Sequence, residues 1–234
     1  MNTSQQAASP MASTRKSSLA AGILYLLTFV SIPTLALYGP VHEPNYLVGP
    51  GPDTPVLIGA ILEWIVALAG IGTALALYPV VKKQNGGVAL GFVASRVLEA
   101  SAIIVGIASL LSVVTLRQSG AGPDAIVTGQ GLVAVYDRMF LLGQSLMPAV
   151  NALLLGSLLY QSRLVPRFLP LMGFIGAPLL IANTIVVMFG ITTGPIYLLT
   201  GIGALPIALW EFSLGIWLTV KGFNPAAIAS GKFD

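Results

Sequence analysis

The sequence predicts an all-α membrane protein, a polytopic bundle of six transmembrane helices with both termini on the cytoplasmic side. Three observations predict it. Of 234 residues, 56% are hydrophobic and only 8% are charged, whereas a soluble domain carries about a quarter charged residues on its surface. Six apolar stretches each reach the length of about 20 residues that a helix needs to cross hydrocarbon. The basic residues between those stretches gather on one side, which is the bias that orients a membrane protein.

The elements follow in order. Residues 1–16, rich in Ser, Gln, Ala and Thr, read as a disordered cytoplasmic tail. Residues 17–223 form the transmembrane domain, and 224–234 a short second cytoplasmic tail. The first span is Leu19–Tyr38. A signal peptide would have an apolar core of about 7–15 residues and a small-x-small cleavage site; this run is longer, and TLALYGP offers no such site. GPVHEPNYLVGPGPDTP (39–55) cannot continue a helix, because each proline lacks an amide donor and restricts the residue before it. The second span, Pro55–Val81, stops at KKQNGG (82–87), and the third, Val88–Leu116, at RQSGAGPD (117–124). The fourth is Leu132–Tyr160, the fifth Phe168–Ile191 and the sixth Ile196–Val220, with ITTGP (191–195) as the weakest break. At about 1.5 Å per residue, spans two, three and four are long enough to tilt or to project beyond the bilayer.

Six spans put Arg15, Lys16, Lys82, Lys83, Arg163, Arg167, Lys221 and Lys232 on one side and Arg117 alone on the other, beside Glu43, Asp53, Asp124 and the sole histidine, His42. That separation places both termini in the cytoplasm. It also accounts for the net charge of +3 without nucleic acid as a partner; the partner it implies is the lipid bilayer. The absence of cysteine removes disulfides, thiolate metal sites and cysteine nucleophiles. His42 stands alone, and HExxH, GxSxG and GxxxxGK[ST] are all missing. The sequence therefore assigns no catalytic residue, no metal ligand and no cofactor.

Six ionisable residues remain inside spans: Glu63, Arg96, Glu99, Asp137, Arg138 and Glu211. Each costs roughly 2.5–3.5 kcal/mol at the centre of a lone inserted helix, so each is expected to face the bundle interior and find a partner. Counting from span ends gives two layers: an outer one of Glu63, Asp137 and Arg138, and an inner one of Arg96, Glu99 and Glu211. Arg96 and Glu99 are i,i+3 neighbours and can touch directly, while Asp137 and Arg138 diverge by about 100°. In span four, Asp137, Gln144, Pro148 and Asn151 fall within about 60° on a regular helix and form a polar stripe that must face protein or water. Gly59, Glu63, Gly70 and Thr73 share a face in span two, and Ala204, Ala208, Glu211 and Gly215 in span six. Small residues of this kind permit close helix approach.

RVLEA (96–100), LLYQSRLVPRFLPLMG (158–173) and EFSLGIWLTVKGF (211–223) resemble the domain of unknown function (DUF) 4386 family. The likeness extends over about residues 15–223 and departs from the family pattern at Arg163, where glycine is expected more often. The resemblance implies a multi-pass membrane protein, mostly bacterial and hence of the cytoplasmic membrane, without an assigned activity. Three readings stay open: a small-solute or proton/cation-coupled transporter that uses the buried carboxylates, a non-transporting sensor, assembly or partner-binding subunit whose ion pairs are structural, and an intramembrane enzyme with Glu63 and Asp137 in one cleft. Oligomerisation is compatible with all three and is not predicted.

Overall fold

The computed structural model describes residues 10–191 and 196–229. The described residues are helical with no strand, and five of their helices are long and apolar enough to cross a membrane. The elements are α1 (Pro10–Leu27), α2 (Thr34–Leu37), α3 (Gly39–His42), α4 (Thr54–Val81), α5 (Gly86–Gln118), α6 (Ile126–Phe140), α7 (Met147–Ser162), α8 (Phe168–Met188), α9 (Ile196–Val220) and α10 (Pro225–Ala229). A π-helical turn, Leu141–Leu146, joins α6 to α7, so that Pro123–Ser162 runs as one rod.

The rods close into a ring. Helix α1 packs on α4 and α9, α4 on α5, α5 on α6 and α7, α7 on α8, and α8 on α9. The α1–α9 approach is close because Gly22 has no Cβ to collide with Thr219 and the Gly215 carbonyl. Arg15 strengthens the same seam by donating to the Leu218 and Thr219 carbonyls at 3.0 and 2.8 Å, which satisfies acceptors left open at the end of a helix.

The outside of the ring is apolar. Trp64, Ile61 and Leu68 on α4 and Leu98 on α5 are more than half exposed, while Glu63, beside Trp64, is fully buried. This is the pattern of helices that offer hydrocarbon to lipid and polar groups to one another. Inside, one apolar cluster gathers Tyr25, Leu77, Phe92, Leu155, Trp210 and Leu214 toward the Lys82 end, and a second gathers Tyr38, Val41, Val56, Leu110 and Tyr136 toward the opposite end.

Most boundaries match the sequence reading, and the first span does not. A continuous helix over Leu19–Tyr38 is expected; instead α1 begins at Pro10, ends at Leu27 and gives way to a 3₁₀ turn, Thr28–Ser31, and the short helices α2 and α3. The cause is a staircase of hydroxyls: Thr28 donates to the Tyr25 carbonyl, Ser31 to that of Thr28 and Thr34 to that of Ser31, at 2.7, 3.2 and 2.6 Å. Side chains spaced by three and bonded back by three fit a 3₁₀ period and compete with the α ladder. Pro33, which has no amide, then prevents recovery of that ladder. Residues 10–16, expected as disordered tail, are helical, and the rest of that tail, residues 1–9, lies outside the described residues. Most of the weak fifth break, 192–195, lies outside them too, as do residues 230–234 of the second tail. The described part of that tail folds back: the Asn224 amide donates to the Leu164 carbonyl at 2.8 Å, and α10 follows.

The Lys82–Gly87 break is built by Asn85, whose Oδ1 accepts from the Val88 amide at 3.0 Å and starts α5. Helix α7 stops at Arg163, which is left-handed (φ 54°, ψ 27°). Glycine adopts that conformation without a Cβ penalty, which explains why glycine is expected there. Arg163→Gly is therefore expected to stabilise the protein by about 1 kcal/mol, read as a rise in the midpoint of thermal unfolding in detergent.

Candidate functional site

The inner layer forms as the sequence suggests, and it is richer. Arg96 donates through Nη1 to Glu99 Oε2 at 2.9 Å and through Nη2 to Glu211 Oε1 at 2.8 Å. Its Nη2 also lies 3.1 Å from the Tyr25 hydroxyl, and the guanidinium stands over the Tyr25 and Phe92 rings at 5.2 and 5.7 Å. Asn151 Nδ2 donates to Glu99 at 2.7 Å, and Ser95 hydrogen-bonds Asn151 Oδ1. Four rods thus meet in one network around the guanidinium: α1 through Tyr25, α5 through Arg96 and Glu99, α9 through Glu211 and α7 through Asn151, which reaches it by way of Glu99. A buried cation needs such convergence, because desolvation outweighs any single contact.

The outer layer is different from the one expected. Glu63 accepts from the Tyr38 and Tyr136 hydroxyls at 3.2 and 3.0 Å and from Gln144 Nε2 at 2.9 Å. Among the described residues it has three neutral donors and no cation. Asp137 and Arg138 are exposed, so neither belongs to a buried charge cluster. Asp137 instead meets His42 Nε2 at 3.0 Å, at the end of the ring opposite Lys82. Glu63 and Asp137 consequently do not share a cleft. The reason is the π turn. Its i→i+5 bonding adds about one residue per turn, which sets the phase of the rod back by about 100°. Tyr136, and not Asp137, comes into line with Gln144. Pro148 accounts for the wide turn: it has no amide for the Gln144 carbonyl, and its ring crowds that carbonyl. Of the expected polar stripe, Gln144 joins the Glu63 cluster and Asn151 the Arg96 cluster.

Between the two clusters lies a cavity of about 410 Å³, and Arg96, Glu99, Gln144, Asn183 and Glu211 supply much of its polar wall. Small side chains leave the room: Ala67 and Gly70 on α4, Ala100 on α5 and Ala204 and Ala208 on α9. Thr28, Phe29, Ser31 and Ile32, from the interrupted first segment, make another wall. Phe29 is held against Phe212 edge to face at 5.3 Å. Irregular backbone in an apolar surround is tolerated where it is covered by protein or lines a cavity, and this stretch lines one. Asn183 is buried, and its Oδ1 has no hydrogen-bond partner among the described residues.

The loop between α3 and α4 is fixed by another ion pair. Arg117 pairs with Asp53 and donates to the Gly49 carbonyl at 3.2 Å, Tyr46 donates to Asp53 at 2.7 Å and Gln118 at 3.1 Å. Gly51 (φ 90°) passes under this guanidinium, where a Cβ would collide with it. Partial burial pushes the Asp53 carboxyl up, but the hydrogen bonds from Tyr46, Gln118 and Arg117 outweigh it and hold the group below its usual value.

Sequence reasoning missed Tyr25, Tyr38, Tyr136 and Ser95 as members of these networks, and Asn183 as part of the cavity wall. Their signal is weak: a serine hydroxyl in an apolar helix can bond back to its own backbone, as Ser95 also does to the Phe92 carbonyl, and a tyrosine fits an apolar helix by its ring alone.

The ring of apolar helices around a polar interior defines the class, an all-helical integral membrane protein. Residues 20–222 match the family model described as domain of unknown function DUF4386, and the chain belongs to that family. Comparison with curated proteins gave no match, and neither did comparison with solved structures.

Two outcomes follow from this geometry. Arg96→Ala leaves Glu99 and Glu211 buried without their cation and is expected to cost about 3–5 kcal/mol, measured by chemical unfolding in detergent. Replacing the triad together, as Arg96→Met with Glu99→Leu and Glu211→Leu, should recover most of that loss. The second outcome concerns His42. Its Nε2 faces the Asp137 carboxylate, and its Nδ1 lies 2.7 Å from the Tyr38 carbonyl. Both partners accept only, so the ring suits two protons. The Asp137 hydrogen bond lifts the imidazole above its ordinary value, against the lowering effect of burial and with help from the Tyr38 carbonyl. With Asp137 ionised, the contact contributes fully below about pH 6.5, the value of an unfolded-chain histidine. It fades as pH rises through the higher folded value. Titration of His42 by NMR should find it above about 6.5 in wild type and lower in Asp137→Asn.

Proposed function

We propose that the protein is a carrier of a small solute in the cell membrane, with six membrane crossings and both termini cytoplasmic, in which proton or cation movement uses the buried carboxyls. The observation that carries this reading is the cavity itself. It holds about 410 Å³, and its wall combines a buried guanidinium–dicarboxyl network with an interrupted helical segment. Broken segments beside a central site are how many carriers expose backbone and side chains to a solute at mid-membrane. One guanidinium stands against two carboxyls there, and Glu63 has no cation partner among the described residues, so the interior has acidic groups beyond those needed to balance Arg96. Gln144 connects the parts, since it donates to Glu63 and lines the cavity.

One observation favours a second reading, that of a non-transporting membrane subunit. Both Nη groups of Arg96 are paired, as a purely structural clamp would require. Proton flux separates the two. Proteoliposomes carrying wild type are expected to dissipate an imposed pH gradient faster than empty vesicles, and Glu63→Gln and Glu211→Gln, checked for intact unfolding midpoints, should slow it. Identical traces for wild type, both variants and empty vesicles would overturn the coupled carrier in favour of the subunit.

A further inference from the structure

We infer that the cavity takes a small organic ammonium ion, a protonated primary or secondary amine on an apolar body. The inference deepens the carrier reading and rests on it for what the binding is used for; binding at equilibrium is measured apart from flux.

Charge gives the sign. The cavity wall carries Glu99 and Glu211 against Arg96, and with both carboxyls ionised one negative charge is left over. Placement gives the same sign. The Arg96 side chain is 3% exposed, whereas those of Glu99 and Glu211 are 10% and 13% exposed. The acidic side chains are therefore the more open part of the network, and the guanidinium stands behind them with its Nη groups committed to Glu99, Glu211 and Tyr25 and its buried Nε without a partner among the described residues. An anion entering the cavity would meet carboxylate before it met Arg96; a cation would meet complementary charge at once.

Asn183 supplies an independent observation. Its carboxamide sits on α8 and lines the cavity, it is only 7% exposed, and its oxygen has no donor among the described residues. A buried carbonyl without a donor is costly, and a ligand that brings an N–H removes that cost. Glu99, Asn183 and Glu211, from α5, α8 and α9, thus all bring acceptors to the cavity wall, which suits the N–H donors of a protonated amine and not a quaternary nitrogen. The rest of the wall sets the body. Phe29, Ile32, Val66, Ile103, Phe140 and Ile207 are apolar, and aromatic faces are compatible with a neighbouring cation. A volume of about 410 Å³ falls in the range of small-molecule sites.

The test uses the full chain in nanodiscs, with calorimetric titration against empty nanodiscs. The probes are 2-phenylethylamine, its N,N,N-trimethyl derivative and 3-phenylpropionate. Saturable binding of the amine is expected, at least about tenfold weaker binding of the trimethyl compound, which has no N–H to give, and no saturable binding of the carboxylate. Glu211→Gln should weaken the amine by about tenfold or more. Because that variant also removes a partner of Arg96, Asn183→Leu decides: it leaves the ion pairs whole and should weaken the amine several-fold while sparing the trimethyl compound. Absence of saturable amine binding, equal binding of the three probes, or an Asn183→Leu protein that binds the amine as wild type does would overturn the inference. Amine binding without flux removes the carrier and leaves the site standing; flux without amine binding does the reverse.

Discussion

The structure depends on the burial of one guanidinium. Arg96 is 2% exposed in a ring whose outer surface is apolar. Leaving it unpaired there would cost several kcal/mol, so the helices that hold its partners have to meet at its depth. Glu99 is one turn away on the same helix and sets little by itself. Glu211 and Tyr25 fix where α9 and α1 stand relative to α5, and Asn151, through Glu99, draws in α7. Apolar side chains fill the space above and below this level, but apolar packing against lipid-like neighbours distinguishes poorly between one rotation of a helix and another. The polar contacts choose the rotation.

Two departures from regular helix follow the same level. The hydroxyl staircase from Thr28 to Thr34 tightens the first segment, and the π turn before Pro148 widens the fourth. One brings Thr28, Phe29 and Ser31 to the cavity wall, and the other brings Gln144 and Ser145. With small residues on α4, α5 and α9 between them, the interior at this level cannot close as it does at both ends.

Helix limits from the second span onward were legible in the sequence because proline, glycine and charge mark them, and α4, α5, α8 and α9 begin or end within a few residues of the expected places. The grouping of Arg96, Glu99 and Glu211 was legible too, since depth counted along regular helices holds for α5 and α9. Depth counting failed for Asp137 and Arg138 because phase is not conserved through a π turn, and nothing in the hydrophobic pattern of span four announces one; Pro148 was the available hint. The first segment failed for a related reason. Its hydrophobicity is sufficient for a span, but Thr28, Ser31 and Thr34 carry a period of three that hydropathy does not register. Asn183 could not be read at all, because a lone carboxamide in an apolar helix looks the same whether or not it has a partner.

The two acids that hold Arg96 lie at very unequal separations along the chain, 3 residues for Glu99 and 115 for Glu211. During synthesis α5 leaves the ribosome with its arginine already neutralised by its own neighbour, so the segment can enter the bilayer as a pair of low net charge long before α9 exists. The second acid arrives only with α9. A nascent chain cut short before Glu211 would keep a tolerable α5 but leave the arginine without its long-range partner, α1 without the seam that Arg15 and Gly22 make, and the ring open to lipid on that side. Closure of the ring thus waits for α9, which brings both the long-range partner of Arg96 and the seam with α1.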